Sequence, residues 1–485
     1  MIDKLNKKIV LVFFSIIFGL TIQQFLLFKG NIAVIIHAIE IFDYNKLQYD
    51  WIANQTDHIP LFTFFNYFLI KFFSINVIYV LHFILLCLCA YFLFSICENV
   101  YPQLSKINFK LIWFTIFIII FHENSFFTGL AGQRLIDQGY QPASYGVLFL
   151  LGIYFFLLDK TFLSILFICL AASFHPTYVI HSGFLILGFF LYYLTEKKFS
   201  NIYKILIFYS LLITPITFYI YINFFNIDND IAVLGRQILM KRIPHHADIH
   251  YWFSYKDVIS IIIYLVALFL MKNKKKILIP LSIFGFCSIL LSIIQFFLDL
   301  DSLALIFPWR SSVFLVPISS MIIVSFFITL FKIDFRNKKL ILVLTLLIVS
   351  LFFFIKSFFL KNLNSEFKNN IILSNQIKKH YSSINSILAP IDMESLRLNT
   401  GLPIFINRKH HPFKLDEVVI WNSRLNLAKN FYTAKNFNEQ KIALNKIYEI
   451  EDISHILFKS DQLYPDCPNL INNKKFVLVP IINCY

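Results

Sequence analysis

The feature that most constrains this chain is the placement of its charges between long apolar runs. Of the 485 residues, 58% are hydrophobic and only 15% are charged, and the mean hydropathy is +0.69. Lysine and arginine crowd into every second gap between the runs, whereas acidic residues and histidines collect in the other gaps. Lipid requires apolar side chains and internally bonded backbone, and loops rich in Lys and Arg stay inside. The alternation therefore predicts an α-helical polytopic membrane protein.

The formal net charge of +15 follows mostly from the same bias. The basic excess falls in the predicted inner loops, as in Lys197 and Lys198 or the run 272–276. Because membrane orientation accounts for this charge, we expect membrane lipids as partners and no nucleic acid.

The apolar runs predict about eleven spans, with the N-terminus inside and the C-terminus outside. The first run is long and no small-residue cleavage site follows it, so we expect an uncleaved span. A long first outer loop covers 29–74, and its second half, 60–74, is typical of a helix lying at the interface. The predicted spans are 9–28, 75–97, 111–121, 142–158, 161–174, 178–194, 205–225, 257–271, 277–298, 308–330 and 340–360.

Composition changes near residue 360. We expect a transmembrane domain over 1–360 and a small extracytoplasmic α/β domain over 361–485, a size that can carry its own core. The tail patterning predicts strands at 387–389, 404–406, 453–458 and 476–480, and helices at 416–431 and 438–447.

Two of the seven cysteines, Cys467 and Cys484, lie in this tail. A disulfide between them would suit an oxidising compartment, but their spacing alone does not establish one.

The first outer loop holds the leading catalytic candidates. Asp43, Asp50 and Asp57 recur at intervals of seven, which on a helix places them on one face. A carboxylate at a membrane surface can accept a proton from a hydroxyl or hold a divalent cation. Asp50 is the preferred base because its neighbours Tyr49 and Trp51 suggest a position at the interface. The alternative is a solvated loop with interfacial aromatic residues.

A second polar loop carries Glu123, Arg134 and Asp137. Arg134 is suited to bind phosphate and Asp137 to orient it. An i,i+3 ion pair between the two is an equally good interpretation. In the next outer turn, His175 is a candidate contact, although a packed histidine is the more common situation.

The outer loop 226–256 clusters Arg242, His245 and His246, which suit a lipid phosphate or a sugar. A solvated basic loop is the alternative. Further on, Arg310 begins a span, where an arginine usually has a partner, and a diphosphate at the headgroup level would suit it. Snorkelling to the headgroups would also explain it.

Metal binding is the remaining question for these loops. Asp299, Asp301 and Glu123 are metal-capable, so a divalent cation is the cofactor the sequence leaves open. We expect no obligatory cofactor.

The layout resembles the GT-C class of integral-membrane glycosyltransferases. Those enzymes carry an acidic residue in a long first outer loop, place outer-loop arginines on a lipid phosphate, and often end in a soluble outer domain. The tail stretch 396–405, followed by Lys409, Pro412, Glu417, Trp421 and Arg424, resembles a pattern in uncharacterised bacterial polytopic proteins that are themselves GT-C-like. The chain has neither an adjacent acidic pair in the first loop nor a tryptophan-tryptophan-aspartate motif in the tail, so the resemblance implies neither an oligosaccharyltransferase nor an obligatory metal.

The resemblance implies inverting transfer from a polyprenyl-(di)phosphate sugar to a lipid or glycan acceptor, outside the cytoplasmic membrane. Arg310, with Arg134 or Arg242, would hold the phosphate, and Asp50 or Asp43 would deprotonate the acceptor. A surface-polysaccharide polymerase or ligase is the nearest alternative. From another class, a lipid-sugar flippase or a non-catalytic scaffold would share the topology.

Overall fold

The computed structural model describes residues 2–23, 34–42, 46–122, 124–137, 139–331, 369–460, 462, 468–472 and 475–481. The predictions for Asp43, Glu123, Cys467, Cys484 and the last span, 340–360, lie outside the described residues.

Helices dominate the described chain. In chain order they are α1 (Ile2–Ile22), α2 (Ile36–Glu40), α3 (Pro60–Phe73), α4 (Val77–Val100), α5 (Ile107–His122), α6 (Asn124–Phe127), α7 (Val147–Leu157), α8 (Thr161–Phe174), α9 (Tyr178–Thr195), α10 (Phe199–Phe224), α11 (Asn229–Arg242), α12 (Pro244–Ala247), α13 (Ile249–Trp252), α14 (Tyr255–Leu270), α15 (Lys275–Leu298), α16 (Asp301–Ala304), α17 (Ser312–Leu330), α18 (Leu396–Thr400), α19 (Leu415–Thr433) and α20 (Phe437–Tyr448).

In the described part of the chain, five stretches are long and apolar enough to cross a membrane: Val77–Val100, Tyr178–Thr195, Phe199–Phe224, Lys275–Leu298 and Asp301–Leu330. Shorter apolar helices accompany them, and the described part of every predicted span from 9–28 to 308–330 lies largely in a helix. The chain is thus a helical protein with membrane-spanning character. The count of about eleven spans and their orientation stay predictions.

The chain divides into two compact units. Unit 1 comprises Met1–Leu26, Phe73–Ile222 and Met240–Ile355, and unit 2 comprises Leu27–Phe72, Asn223–Leu239 and Lys356–Tyr485. This division differs from the predicted single boundary at residue 360. Most of the first outer loop and the segment 223–239 belong with the tail.

Unit 1 is a bundle in which α9 packs along α15, α7 along α8, α14 along α17 and α1 along α4. The approach of α9 to α15 depends on Gly188 of α9. A Cβ atom there would lie 2.6 Å from the Cα atom of Pro280 in α15. Small residues that let helix backbones approach are typical of packing between membrane helices.

Unit 2 is built on a four-stranded sheet of β1 (Ile387–Leu388), β2 (His455–Lys459), β3 (Ile471–Asn472) and β4 (Phe476–Pro480). The order is β1-β2-β4-β3, with β1 parallel to β2 and the other pairs antiparallel. The predicted strands near 387, 453 and 476 are confirmed. The predicted strand 404–406 is reduced to a single bridge between Ile404 and Ile387.

Both faces of this sheet are buried, because successive side chains of a strand point to opposite sides. Ile456 and Val479 pack on one face with Trp421 of α19, whereas Leu457 and Leu478 pack on the other. The first cluster also includes Ile52 of the first loop. This burial explains why the loop folds with the tail.

Candidate functional site

The 3-10 turn Pro308–Ser311 connects α16 to α17 and positions Arg310. Proline suits the first position of such a turn because its φ is already helical. The residue before it, Phe307, has a φ of 56°, a left-handed conformation that costs a non-glycine residue about 1–2 kcal/mol. Strain of this kind persists only where the surrounding packing imposes it. Here Phe307 and Trp309 belong to a buried cluster with Trp252.

Arg310 points from this turn toward the start of α9. Its Nη1 donates to Thr177 Oγ1 at 2.8 Å, and its guanidinium carbon lies 5.9 Å from the Tyr178 ring centroid and 5.4 Å from that of Phe307. Within the described part of the chain, no carboxylate pairs with this guanidinium. A cation at the end of a spanning segment is costly without a counter-charge, so the arrangement favours anion binding.

His175 joins Arg310 through the same hydroxyl. Thr177 Oγ1 lies 2.7 Å from His175 Nδ1, so the hydroxyl that accepts from Arg310 also hydrogen-bonds to the imidazole. Further along α9, His181 is fully buried. Neither of its ring nitrogens forms a hydrogen bond of normal geometry, although the backbone of Phe307 lies close by.

His246, on the short α12, is the third histidine of this neighbourhood. Burial, then the charges of His245 and Arg310, lower its pKa to about 4. His246 is therefore neutral at pH 7, and its Nδ1 lies 3.4 Å from Gln133 Nε2. Burial and the charge of Arg242 also lower the pKa of His245. We call Arg310, Thr177, His175, His181, His246 and Gln133 the Arg310 cluster.

Gln133 is held by a tight turn over 128–134. Gly129 N donates to Gln133 O at 2.8 Å, and Leu130 N donates to Ser312 Oγ at 2.8 Å. Only glycine fits at 129, since a Cβ atom there would lie 2.5 Å from Ser312 Oγ and 2.7 Å from Val313 N. The turn is thereby anchored to the first residues of α17.

Asp257 fixes the same turn from the other side. Its Oδ1 accepts from Ala131 N at 3.0 Å, and its Oδ2 accepts from Ser254 N at 2.8 Å and from Ser254 Oγ at 2.7 Å. Ala131 has a φ of 57°, so a second strained residue lies beside the cluster. Asp257 is not among the site residues predicted from the sequence. The local pattern that could have indicated it is a Ser-x-x-Asp capping box before an apolar run.

A cavity of about 510 Å³ lies beside the Arg310 cluster, lined by α13, α14, α15, α17 and the 308–311 turn. Trp309, Ser311 and Ser312 line it, whereas Arg310 between them contacts Thr177. Most of the wall is apolar, including Ile261, Ile289, Ile293, Phe296, Leu315 and Val316. The turn therefore separates a cationic cluster from an apolar cavity.

The structure brings together three predicted residues from separate loops, His175, His246 and Arg310. Arg134 and Asp137 instead form the i,i+3 pair, with Nη1 and Oδ1 3.9 Å apart, and Arg134 Nε donates to Thr128 Oγ1 at 3.3 Å. The phosphate-binding role of this pair stays a prediction.

The carboxylates predicted as metal-capable lie around α16. Asp299 adopts the left-handed conformation that ends α15, and Asp301 begins α16. Among the described residues, no group of three or more His, Cys, Asp or Glu side chains is arranged to hold a metal ion. The divalent-cation prediction gains no support from this part of the chain.

Asp50 lies in unit 2 and is fully buried. Its Oδ2 accepts from Arg397 Nε at 2.6 Å and from Ile404 N at 2.9 Å, and its Oδ1 accepts from Ala53 N at 3.0 Å. Both carboxylate oxygens are thus engaged within the unit. This geometry favours a structural role for Asp50, and its predicted role as a base has no support from it.

The other described carboxylate of the predicted set, Asp57, is partly exposed, and its Oδ1 accepts from Ile59 N at 2.9 Å. Asp50 follows the 3-10 turn Leu47–Tyr49 in an extended conformation. The prediction that these two aspartates share one helix face is therefore wrong, because no continuous helix joins them. Asp57 stays a candidate base on sequence grounds.

The tail residues that carried the family resemblance have structural roles. Arg397 Nη2 donates to Ile404 O at 2.6 Å, Trp421 Nε1 donates to Asn407 O at 3.2 Å, and Arg424 Nη1 donates to Phe405 O at 3.3 Å. All three side chains hold the segment 404–407. In this chain, these three residues therefore fold the tail.

Comparison with known proteins assigns no family. The chain matches no protein-family model, and no curated protein matches it.

Proposed function

We propose that this protein is a membrane glycosyltransferase that moves a sugar from a polyprenyl-(di)phosphate donor to an acceptor on the outer face of the cytoplasmic membrane, in surface glycan or glycolipid assembly. The proposal rests on the surroundings of Arg310. It is a cation without a carboxylate partner among the described residues, with neutral side chains around it and a largely apolar cavity beside it. A phosphate attached to a lipid chain needs a cation and an apolar slot in this combination.

Arg310 would act on the leaving group. The acceptor oxygen attacks the anomeric carbon, the bond from that carbon to the phosphate oxygen breaks, and its electron pair leaves with the phosphate. A fixed guanidinium stabilises the charge that develops there, because Thr177 and the two aromatic rings already orient it. The acceptor proton passes to a general base.

The test is transfer by the full chain reconstituted in liposomes with radiolabelled prenyl-phosphate-linked hexoses and pentoses. Losing one charge-stabilising donor typically costs about 10²–10³ in rate, so we expect Arg310→Gln to lower transfer by that factor and Arg310→Lys to restore part of it. Arg236→Gln, the same change in unit 2, serves as the matched control and should transfer normally. Wild-type rates in Arg310→Gln would refute the phosphate assignment.

Product analysis separates the alternatives. A polymerase or ligase would join lipid-linked oligosaccharides and give longer products from the same donor chemistry. A lipid-sugar flippase would move the labelled lipid across the bilayer without forming a glycosidic bond.

A further inference from the structure

Two buried tryptophans in unit 1 have unused hydrogen-bond donors. Trp252 is 8% exposed and Trp309 is 1% exposed, and their ring centroids lie 4.9 Å apart. Neither Nε1 forms a hydrogen bond with any described residue. An indole N–H can only donate, and leaving a buried donor unsatisfied costs about 1–3 kcal/mol. Two such donors on neighbouring indoles indicate a ligand that supplies oxygen atoms.

Other buried tryptophans of the chain do not share this property. Trp113 Nε1 donates to Ser325 Oγ at 3.1 Å, and Trp421 Nε1 donates to Asn407 O at 3.2 Å. The fold therefore satisfies buried indoles elsewhere, as is usual. The unsatisfied pair is a local feature of α13 and the strained turn that begins at Phe307.

Both tryptophans line the 510 Å³ cavity, whose size falls in the range of about 300–1,000 Å³ typical of small-molecule sites. The hydroxyls of Ser311 and Ser312 lie at the same end, where Ser311 bonds to Ser288 and Ser312 accepts from Leu130 N. No Asp, Glu, Lys or Arg belongs to the described lining. This end of the cavity is therefore polar without a carboxylate, lysine or arginine, and most of the remaining wall is apolar, apart from His250, Ser260, Tyr264 and Ser292.

These features select one ligand chemistry. Neutral N–H and O–H groups suit hydroxyl oxygens, and indole faces suit the C–H faces of a sugar ring, whereas a charged head group would need a cation. The apolar wall between α14 and α15 suits a hydrocarbon chain.

We propose that this cavity binds the sugar ring of a chain-linked glycoside, with ring hydroxyls accepting from Trp252 and Trp309 and the chain lying between α14 and α15. Because the proposed donor carries a charged phosphate, this uncharged glycoside would be a glycolipid acceptor, and that assignment rests on the proposed glycosyltransferase function. Binding of the glycoside itself does not depend on it.

The test measures capture of three photoreactive probes by the full chain in lipid nanodiscs: decyl β-glucoside, decanol and decyl phosphate, each with a diazirine in the chain. Trp252→Phe and Trp309→Phe remove the N–H groups and keep an aromatic ring. The loss of one hydrogen bond, about 1 kcal/mol, corresponds to about a 5-fold weaker affinity. We expect that loss for each single variant with the glucoside, and a loss of about 25-fold in the double variant.

Trp113→Phe is the matched control, because its indole is buried in unit 1 and already bonded to Ser325. It should bind the glucoside like the wild type, and decanol capture should be equal in all variants. Crosslinks should map to peptides of α14 and α15.

Three results would overturn the proposal. In the first, the double variant binds the glucoside as tightly as Trp113→Phe does. In the second, decanol and glucoside lose affinity equally, which would make the rings packing residues only. In the third, decyl phosphate is the tightest probe and is the one that the double variant loses.

Failure of this proposal and failure of the proposed function are distinguishable, since capture requires no turnover. Normal transfer by Arg310→Gln alongside indole-dependent capture would refute the phosphate role alone. Indole-independent capture with loss of transfer in Arg310→Gln would refute the sugar site alone.

Discussion

Replacing Asp50 by Asn tests whether this carboxylate holds unit 2 together. Its two oxygens accept from Arg397 Nε, Ile404 N and Ala53 N, and both members of the ion pair are fully buried. An amide has one acceptor oxygen and an NH₂ group. In either orientation, the asparagine amide of Asp50→Asn would therefore place a donor against a buried donor and leave Arg397 without its counter-charge.

The size of the effect follows from this burial. Removing one partner of a buried ion pair typically costs about 3–5 kcal/mol, which corresponds to about two to four powers of ten in an opening equilibrium. The measurement is hydrogen exchange followed by mass spectrometry on the full chain in nanodiscs. Peptides covering Ala53 and Ile404 report directly, because these amides donate to Asp50.

The matched control is Asp57→Asn, the same change in the same loop at a partly exposed site. We expect it to alter exchange in these peptides by less than about 10-fold, as surface substitutions usually cost little. Adding Arg397→Met to Asp50→Asn should recover part of the protection, because it removes the uncompensated charge. If Asp50→Asn exchanges like the wild type while sugar transfer is lost, the structural role would be refuted and Asp50 would return as the base.

Two further predictions concern unit 2 and the turn beside the Arg310 cluster. Burial, then the charge of Arg397, holds the pKa of His410 well below 6.5, so the unfolded chain takes up a proton near pH 6.5 that the folded unit excludes. The contribution of His410 to the free energy of unfolding should be fully present above about pH 7 and should fall below pH 6.5 by up to about 1.4 kcal/mol per pH unit. Thermal unfolding measured from pH 8 to pH 5 should show this loss. His410→Gln should reduce the dependence of stability on pH. Gly129→Ala should destabilise unit 1 by about 1–3 kcal/mol through overpacking against α17. Gly132→Ala is the control, because nothing lies within 4 Å of its Cβ position and only backbone strain should result. Thermal unfolding compares the two variants, and equal losses of stability would contradict the packing argument.

The helices of unit 1 could be predicted because their signals are local. A run of apolar residues such as Lys275–Leu298 carries its own length and hydropathy, and a helix satisfies its own backbone. In the tail, the patterns near 453 and 476 likewise indicated strands. The sequence could not predict the pairing order β1-β2-β4-β3 or the two-residue β3, because strand pairing joins distant segments.

Part of the candidate site could be predicted from the sequence. Arg310 could be predicted as a site residue because an arginine at the start of a span needs a partner. The sequence offered Arg134 and Arg242 as its companions, whereas the structure places Thr177 and His246 near it. No local pattern in the sequence shows that His175 and His246, which lie in separate loops, share a neighbourhood.

Asp50 shows most clearly what a local sequence pattern cannot predict. Its spacing and aromatic neighbours suggested a catalytic base, but its ion-pair partner, Arg397, lies 347 residues further along the chain. No local pattern can report that contact.

The sequence by itself determined the helical membrane character of the chain, the order of its helices and the composition of its tail, since these depend on hydropathy and on contacts a few residues apart. Only the tertiary structure decided that the first loop folds with the tail, that Arg310 lies apart from any described carboxylate, and that two indole donors remain unsatisfied beside a cavity. These depend on which distant side chains exclude water from one another, and packing sets that choice across the whole fold.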